Sequence, residues 1–356
     1  MTLRLALVAL LTLGSVAGAA EGDAGRRAPA AAPRPAPAGS ADFPRVVFRR
    51  AERAGERAAR TETTVVAPPR ARLELESFGG DIRVTGWDRK TVRVVADHEP
   101  GTRVAVTVRP AAVVVRALRD LRVPGPERGR GAPGRDVSVA ARVDYRLSVP
   151  RGTSLRLSGV DTQILVDGVQ GDVSAETVLG PVAVRGGRGV VRVGTFDGAV
   201  EIVGVRGSVE AASMSRDVLL RDVEGPVRAE SVKGNLELTL VQSEAVEAST
   251  VSGWLRYEGS IRAGGEYRFA SHSGDVTVVM PERPDASVSV ATHRGSFQSS
   301  FPVPARQPRD GGRFEFLLGD GRAELEVTSF SGAIRLLRAG EKEPALPVPP
   351  APAKKR

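Results

Sequence analysis

Residues 171–240 read GDVSAETVLG PVAVRGGRGV VRVGTFDGAV EIVGVRGSVE AASMSRDVLL RDVEGPVRAE SVKGNLELTL. Gly171, Gly180, Gly189, Gly198 and Gly207 stand nine apart, Arg216 takes the next position, and Gly225 and Gly234 resume the register. A fixed period of this kind is the signature of a repeat architecture. Two residues after each position come Val173, Val182, Val191, Val200, Val209, Val218, Val227 and Leu236. Four residues after come Ala175, Val184, Val193, Ile202, Ala211, Leu220, Ala229 and Leu238. Between the two apolar columns the residue is mostly polar, as at Ser174, Arg192, Glu201 and Glu237. Side chains in a strand alternate between faces, so each unit predicts a short strand with one face in and one face out. The glycine is read as the residue of a sharp bend.

Alternate units differ. One set carries Thr177, Thr195, Ser213 and Ser231 six residues after the turn, and the other carries Gly186, Gly204, Asp222 and Leu240. The second set also holds the bulkier inner residues, Ile202, Leu220 and Leu238 against Val193, Ala211 and Ala229. The repeat is therefore about eighteen residues long, two strand-turn halves forming one coil. The predicted fold is an all-β solenoid (β-helix) with two facing sheets, coils stacked at about 4.8 Å. The register slips once, since Val227 to Val246 and Gly234 to Gly253 each span nineteen residues, and a bulge near Gln242-Ser243 absorbs it. Looser units follow in VSGWLRYEG (251–259), SHSGDVTVVMP (271–281), THRGSFQSS (292–300) and SFSGAIRLL (329–337).

Outward from this centre, apolar and polar residues alternate in 72–86, 91–97, 103–117 and 137–159, which predicts half-buried strands. The Gly/Pro/Arg-rich stretch 122–135 is expected to be a hairpin loop. Segments 91–150 and 314–337 are the candidate caps for the open ends of the stack. The solenoid domain is thus set at 72–338, with a Pro-rich, flexible tail at 339–356. Before it, residues 21–71 form an Ala/Pro/Arg-rich linker; 45–60 is a candidate short basic helix, but Gly55 interrupts so short a segment and favours an exposed, frayed helix or coil. Residues 1–20 read as a secretory signal peptide: Arg4 in a positive n-region, an apolar run from Leu5 to Leu13, and the cleavage pattern Ala17-Gly18-Ala19. That run is shorter than the ~20 residues of a membrane span, so no transmembrane segment is expected in the mature chain.

Composition narrows the chemistry. The chain has no Cys, which removes disulfides, thiolate metal sites and cysteine nucleophiles. Its formal charge of +9 is carried mostly by Arg residues that alternate with apolar ones, the pattern of a solvated outer face. No nucleic-acid partner is expected from it. A calcium-binding nonapeptide solenoid needs an Asp in every turn, but only Asp172 and Asp217 among eight turns supply one. The three histidines, His98, His272 and His293, are read as surface turn residues. Carboxylates such as Glu201, Glu210 and Glu237 fall at outward strand positions, and only Trp87 and Trp254 could stack on sugars. The sequence therefore predicts no enzyme: no catalytic, cofactor-binding or metal residue is assigned, no cofactor is expected, and the binding residues are left open.

The phrases SFGGDIRVTG, VDYRLSVPRGTSLRLSG, GDVSAETVLGPVAVRG, SHSGDVTVVMP and SFSGAIRLL resemble the bacterial putative-adhesin family, a domain family of unknown function. The resemblance covers roughly residues 72–338. It implies a Gly-Asp-Val/Ile repeat β-solenoid in an exported or membrane-associated setting, and it carries no catalytic residues. The expected function is that of a non-catalytic extracytoplasmic binding or scaffold protein, its partner an envelope protein or a glycan. The alternatives are a cell-envelope stress sensor or regulator and, third, a polysaccharide-active enzyme. The expected location is the periplasm, the medium or the cell surface.

Overall fold

The computed structural model describes residues 59–68, 71–123, 135–303 and 312–341. The repeat folds as its columns dictate. Strands β1 (Ala59–Val66), β2 (Arg72–Trp87), β3 (Thr91–His98), β4 (Thr102–Arg109), β5 (Ala112–Val123), β6 (Arg135–Ala140), β7 (Val143–Pro150) and β8 (Ser154–Asp167) lead into the regular coils. These are β9 (Val173–Leu179), β10 (Val182–Gly187), β11 (Val191–Asp197), β12 (Val200–Arg206), β13 (Val209–Ser213), β14 (Val218–Glu224), β15 (Val227–Ser231) and β16 (Leu236–Gln242). Then come β17 (Ala245–Thr250), β18 (Leu255–Gly259), β19 (Glu266–Ser271), β20 (Val276–Met280), β21 (Ala286–Thr292), β22 (Phe297–Ser299), β23 (Gly312–Leu318), β24 (Ala323–Ser329) and β25 (Ile334–Arg338). Among the described residues there is no α-helix.

Each strand pairs in parallel with the strand one coil away, not with its neighbour in sequence: β9 with β11, β11 with β13, β10 with β12, β12 with β14. The fold is a β-solenoid with two strands per eighteen-residue coil. Sheet 1 holds the odd strands β9 to β19, sheet 2 the even strands β10 to β20. Both predicted apolar columns point inward, and Ala175, Val184, Ile202, Ala211, Leu220 and Leu238 are all fully buried. Small residues of sheet 1 face larger ones of sheet 2 until the third quarter of the chain. There Tyr257, Tyr267 and Phe269 widen the core, with Tyr257 and Phe269 ring centroids 4.8 Å apart. Their phenols reach backbone: Tyr257 donates to the Ser260 carbonyl at 2.8 Å and Tyr267 to that of Ser243 at 2.6 Å. The extra residue of the nineteen-residue step lies between Gln242 and Val246, where the buried Ser243 Oγ accepts the Ala245 N–H at 3.0 Å.

The glycines have a second reason beyond the bend. Several, such as Gly198, Gly234 and Gly253, do not adopt a positive φ. A Cβ on Gly253 would collide with the carbonyl oxygen of Gly234 one coil behind. Successive turns stack backbone on backbone, and only a residue without a side chain lets them touch. At the opposite corner the left-handed conformation is real: Gly186 and Gly204 have φ of 69° and 70°, and Asp222 and Leu240 are held there at 54° and 55°.

The ends depart from the predicted order. β2 and β8 are long enough to run through both sheets, and β2 pairs with β8 over both halves. The N-terminal end is closed by antiparallel additions, β7–β3–β1 on sheet 2 and β5–β4 and β5–β6 on sheet 1. The span read as linker up to residue 71 therefore contains a strand, β1, and residues 59–60 of the candidate helix or coil segment belong to it. Residues 45–58, the signal-peptide residues, the loop at 124–134 and the tail beyond 341 lie outside the described residues. At the other end the chain order is shuffled. β24 inserts between β19 and β21, and β25 between β20 and β22. The coil 323–338 is thus internal, not a cap. The outermost position belongs to β21, β22 and the antiparallel β23, with Phe297, Phe314 and Phe316 clustered over the core end (Phe297–Phe314 centroids 4.9 Å).

Candidate functional site

Four longitudinal surfaces run along such a stack, and the side chains on each decide what it can do. The outer face of sheet 1 is polar. Its central column is Ser174, Arg192, Glu210, Arg228, Glu247, Arg268 and Glu326, in register from coil to coil. From Arg192 onward the charges alternate in sign. Arg192 pairs with Glu210 at 3.2 Å, Arg228 with Glu247 at 3.1 Å, and Glu326 with Arg313 at 3.5 Å. The column neutralises itself, so this face has no net positive field to draw an anionic polymer, and exposed pairs of this kind add little stability each.

The turn from sheet 1 to sheet 2 is built by the Ser/Thr column. Ser213, Ser231, Thr250, Ser271 and Ser329 are all buried. Ser231 Oγ accepts the Gly234 N–H at 2.9 Å and donates to the Arg216 carbonyl of the previous coil at 3.3 Å. Thr250 does the same with Gly253 and Gly234, Ser271 with Gly274 and Gly253, and Ser329 with Gly332 and Gly274. The Asp of the Gly-Asp phrase also ties coil to coil. Asp172, Asp217 and Asp275 accept the N–H of Val190, Asn235 and Ala333 at 2.8–2.9 Å. One oxygen of each carboxylate is thus committed to backbone, and Asp275 Oδ2 also accepts from Arg335 at 3.1 Å.

One residue beyond the hydroxyl column lies the feature the sequence reading missed. The registers that align Ser77, Gly159, Thr177, Thr195, Ser213, Ser231, Thr250, Ser271, Ser329 and Thr292 also align their successors. Those successors are Phe78, Val160, Val178, Phe196, Met214, Val232, Val251, His272, Phe330 and His293. Eight are apolar, and two are imidazoles. They stand at the apex of the turn: Phe78 is 58% exposed, Phe196 44%, Val251 44% and Phe330 42%. Nine inter-coil steps at ~4.8 Å make a ridge about 43 Å long. Its backbone is locked, because Ser252 and Ser273 Oγ donate to the Val232 and Val251 carbonyls at 3.1 and 3.0 Å.

The histidines now have places. His98 is a buried residue, bonded to Thr61 Oγ1 at 2.8 Å and the Glu99 carbonyl at 3.0 Å, so the surface-turn reading is wrong for it. His272 and His293 stack on opposite sides of Phe330, with centroids 4.9 Å apart in each case and interplanar angles of 5° and 20°. Sequence distance hid this, since the coil bearing Phe330 enters between theirs only in the shuffled stack. Among the described residues no group of three or more His, Asp or Glu side chains is placed to hold a metal ion. Asp81 and Asp144 approach each other at a turn, and burial pushes the Asp81 carboxyl above its usual range, with Asp144 adding to the rise. The contact is a structural one: Asp144 Oδ1 accepts the Asp81 N–H at 2.9 Å.

Residues 147–337, more than half of the chain, match the family described as Toastrack DUF4097. The chain belongs to the DUF4097 family. No curated protein matches it. Solved structures similar to this DUF4097 chain include a putative cell adhesion protein from Clostridium sporogenes, at 11% identity over 79% of this chain and 100% of that one, TM-score 0.17. Putative adhesins from Bacteroides fragilis and Parabacteroides distasonis each share 10% identity over 78% of this chain and 97% of theirs, with TM-scores of 0.37 and 0.41. In this DUF4097 chain no described helix is long and apolar enough to cross a membrane.

Proposed function

We propose that this DUF4097 chain is an exported, non-catalytic binding or scaffold protein, and that the turn-edge ridge is where it meets its partner. The observation that supports this is the ten-coil rank of largely apolar side chains, most of them exposed, at the turn apices. Extended exposed apolar surface marks an interaction site. A rigid support means that little conformational freedom is lost on contact.

A protein partner fits the ridge better than a glycan. Aromatic platforms hold sugars on open ring faces, yet at the C-terminal end of the ridge both faces of Phe330 are covered by His272 and His293. What the rank offers is edges and methyl groups in a line, suited to an apolar stripe on a helix or an extended segment. Export rests on the N-terminal n-region, apolar run and Ala-x-Ala pattern.

The test places a photo-crosslinking residue at 196 in the mature chain and, separately, makes the Phe196→Ser, Phe330→Ser double variant. Crosslinking to a specific envelope protein, together with loss of its binding by the double variant, is the expected result. Binding that survives the double variant, or a specific glycan as the ligand, overturns the ridge reading. Sequencing the N-terminus of the extracytoplasmic protein checks export: cleavage near Ala20 is expected.

A further inference from the structure

The charge ladder on the outer face of sheet 1 extends beyond its central run. Arg156 precedes Ser174, and Ser289 and Glu315 follow Glu326, each in register with its neighbour. The column from Arg156 to Glu315 crosses successive strands over about 43 Å. In stack order it runs Arg, Ser, Arg, Glu, Arg, Glu, Arg, Glu, Ser, Glu. Reversed, it runs Glu, Ser, Glu, Arg, Glu, Arg, Glu, Arg, Ser, Arg. Laid against its own reversal, every Arg meets a Glu and every Ser meets a Ser.

We propose that the outer face of sheet 1 is a homodimer interface, with the second copy stacked in the opposite direction. A two-fold axis along the strands, passing between Arg228 and Glu247, produces this arrangement. Arg228 then faces Glu247 of the second copy, Glu210 faces its Arg268, Arg192 its Glu326, and Arg156 its Glu315. That is the condition of an isologous interface, in which residue i meets j and j meets i.

Three observations select a second copy as the occupant. First, the chain carries a formal charge of +9, so two copies repel over most of their surface. Along this column four Arg are balanced by four Glu, and the repulsion is absent. Second, the next outward column raises no obstacle. It holds Gly194, Ala212, Ser249, Ala270 and Thr328, and the same axis sets its glutamates, Glu176 and Glu230, opposite Ala291 and Ser249. Small side chains there let the two sheets approach. Third, the size suffices. A strand of five residues is about 17 Å long, so the face offers about 700 Å² per copy, near the ~800 Å² per partner of a standard interface.

Alternating signs also serve each copy alone, because opposite charges on neighbouring strands attract. That role does not require the two serines to sit at mirrored positions, nor the smooth column beside the ladder. Because the axis runs along the strands, both turn-edge ridges come to lie on one edge of the dimer, leaving each open to a further partner.

The test is reciprocal charge reversal in the mature chain, read by sedimentation velocity. The unaltered protein should sediment as a dimer at low ionic strength and dissociate in about 1 M NaCl, where exposed charges are screened. Arg228→Glu sets like charges face to face twice per dimer, and so does Glu247→Arg. Each should raise the dimer dissociation constant at least about tenfold. Mixed one to one, the two variants should recover a heterodimer, because the introduced Glu of one faces the introduced Arg of the other and the native pair is kept. A ladder that acts only within each chain gives no such recovery. Circular dichroism should show an intact sheet in both variants. A monomer at every concentration up to about 0.1 mM would overturn the proposal. So would two variants that stay apart when mixed. A dimer indifferent to both reversals but lost in the Phe196→Ser, Phe330→Ser variant would also overturn it, and would put the second copy on the ridge.

Discussion

Replacing Ser231 by Ala tests whether the hydroxyl column holds the coils together. The Oγ is buried and bonded twice, to the Gly234 N–H at 2.9 Å and to the Arg216 carbonyl at 3.3 Å. Deleting it leaves a buried N–H without a partner, which costs about 1–3 kcal/mol. The carbonyl loses a weaker bond. With a guanidinium-chloride m-value of about 5 kcal/mol/M for a domain of this size, 2 kcal/mol moves the midpoint down by ~0.4 M. Ser231→Thr is the control. Thr177, Thr195 and Thr250 occupy the same column, so the site accepts the methyl group and the midpoint should stay within ~0.1 M. Equilibrium unfolding followed by tryptophan fluorescence and by circular dichroism makes the measurement, and coincidence of the two probes checks that the coils melt together. A midpoint for Ser231→Ala equal to wild type, or an equal loss for Ser231→Thr, refutes the reasoning.

Three further outcomes follow from the geometry. Leu240 sits at φ 55° and is 54% exposed, so Leu240→Gly should raise stability by roughly 0.5–1 kcal/mol in thermal melts, while Leu240→Ala should not. Gly274→Ala would drive a Cβ into the Gly253 carbonyl and should cost about 2–3 kcal/mol in denaturant titrations, whereas Gly264→Ala, at φ 77° with open space around it, should cost only about 1. Glu237 is pushed above its ordinary value of 4.5 by burial, and Arg256 only partly opposes this. Its ionised form therefore costs stability, which declines as pH rises from 4.5 through the folded value. Glu237→Gln should melt higher than wild type at pH 7 and the two curves should converge below pH 4; a gap that widens on acidification would contradict the sign.

The solenoid was legible because its cause is local and repeated. Val173 and Ala175 predict a strand, and their recurrence every eighteen residues predicts the stack. What the sequence hid depends on the coil behind. The glycines were read as bends, but Gly253 is needed for a contact with Gly234, nineteen residues earlier. The Ser/Thr column was visible as a set, while its acceptors, such as the Gly234 carbonyl for Thr250, sit one coil back. The end order was illegible for a related reason. SHSG, THRG and SFSG present nearly the same strand and turn, so nothing local says that the last in sequence lies between the other two. The ridge could have been found by aligning on the hydroxyl column and reading one residue on. It was passed over because Val178 or Phe196 alone looks like ordinary turn variation.

The ridge itself could be a brace for the stack and not a contact surface, and stability separates the two. The turn does not require apolar residues at its apex. The next position along holds Asp161, Asp197, Ser215, Lys233, Ser252 and Arg294, all in the same corner. Phe196 keeps 44% of its surface in water, so about half of a phenylalanine's burial, roughly 1 kcal/mol, is what the fold draws from it. Phe196→Ser should therefore lower stability by no more than about 1 kcal/mol, and Phe330→Ser by slightly more because it also unstacks His272 and His293. A loss of 3 kcal/mol or more in either variant would mean that the rank is structural, and the partner would have to be sought on another face. A small loss leaves a largely apolar rank of ten apices that the coil itself does not demand.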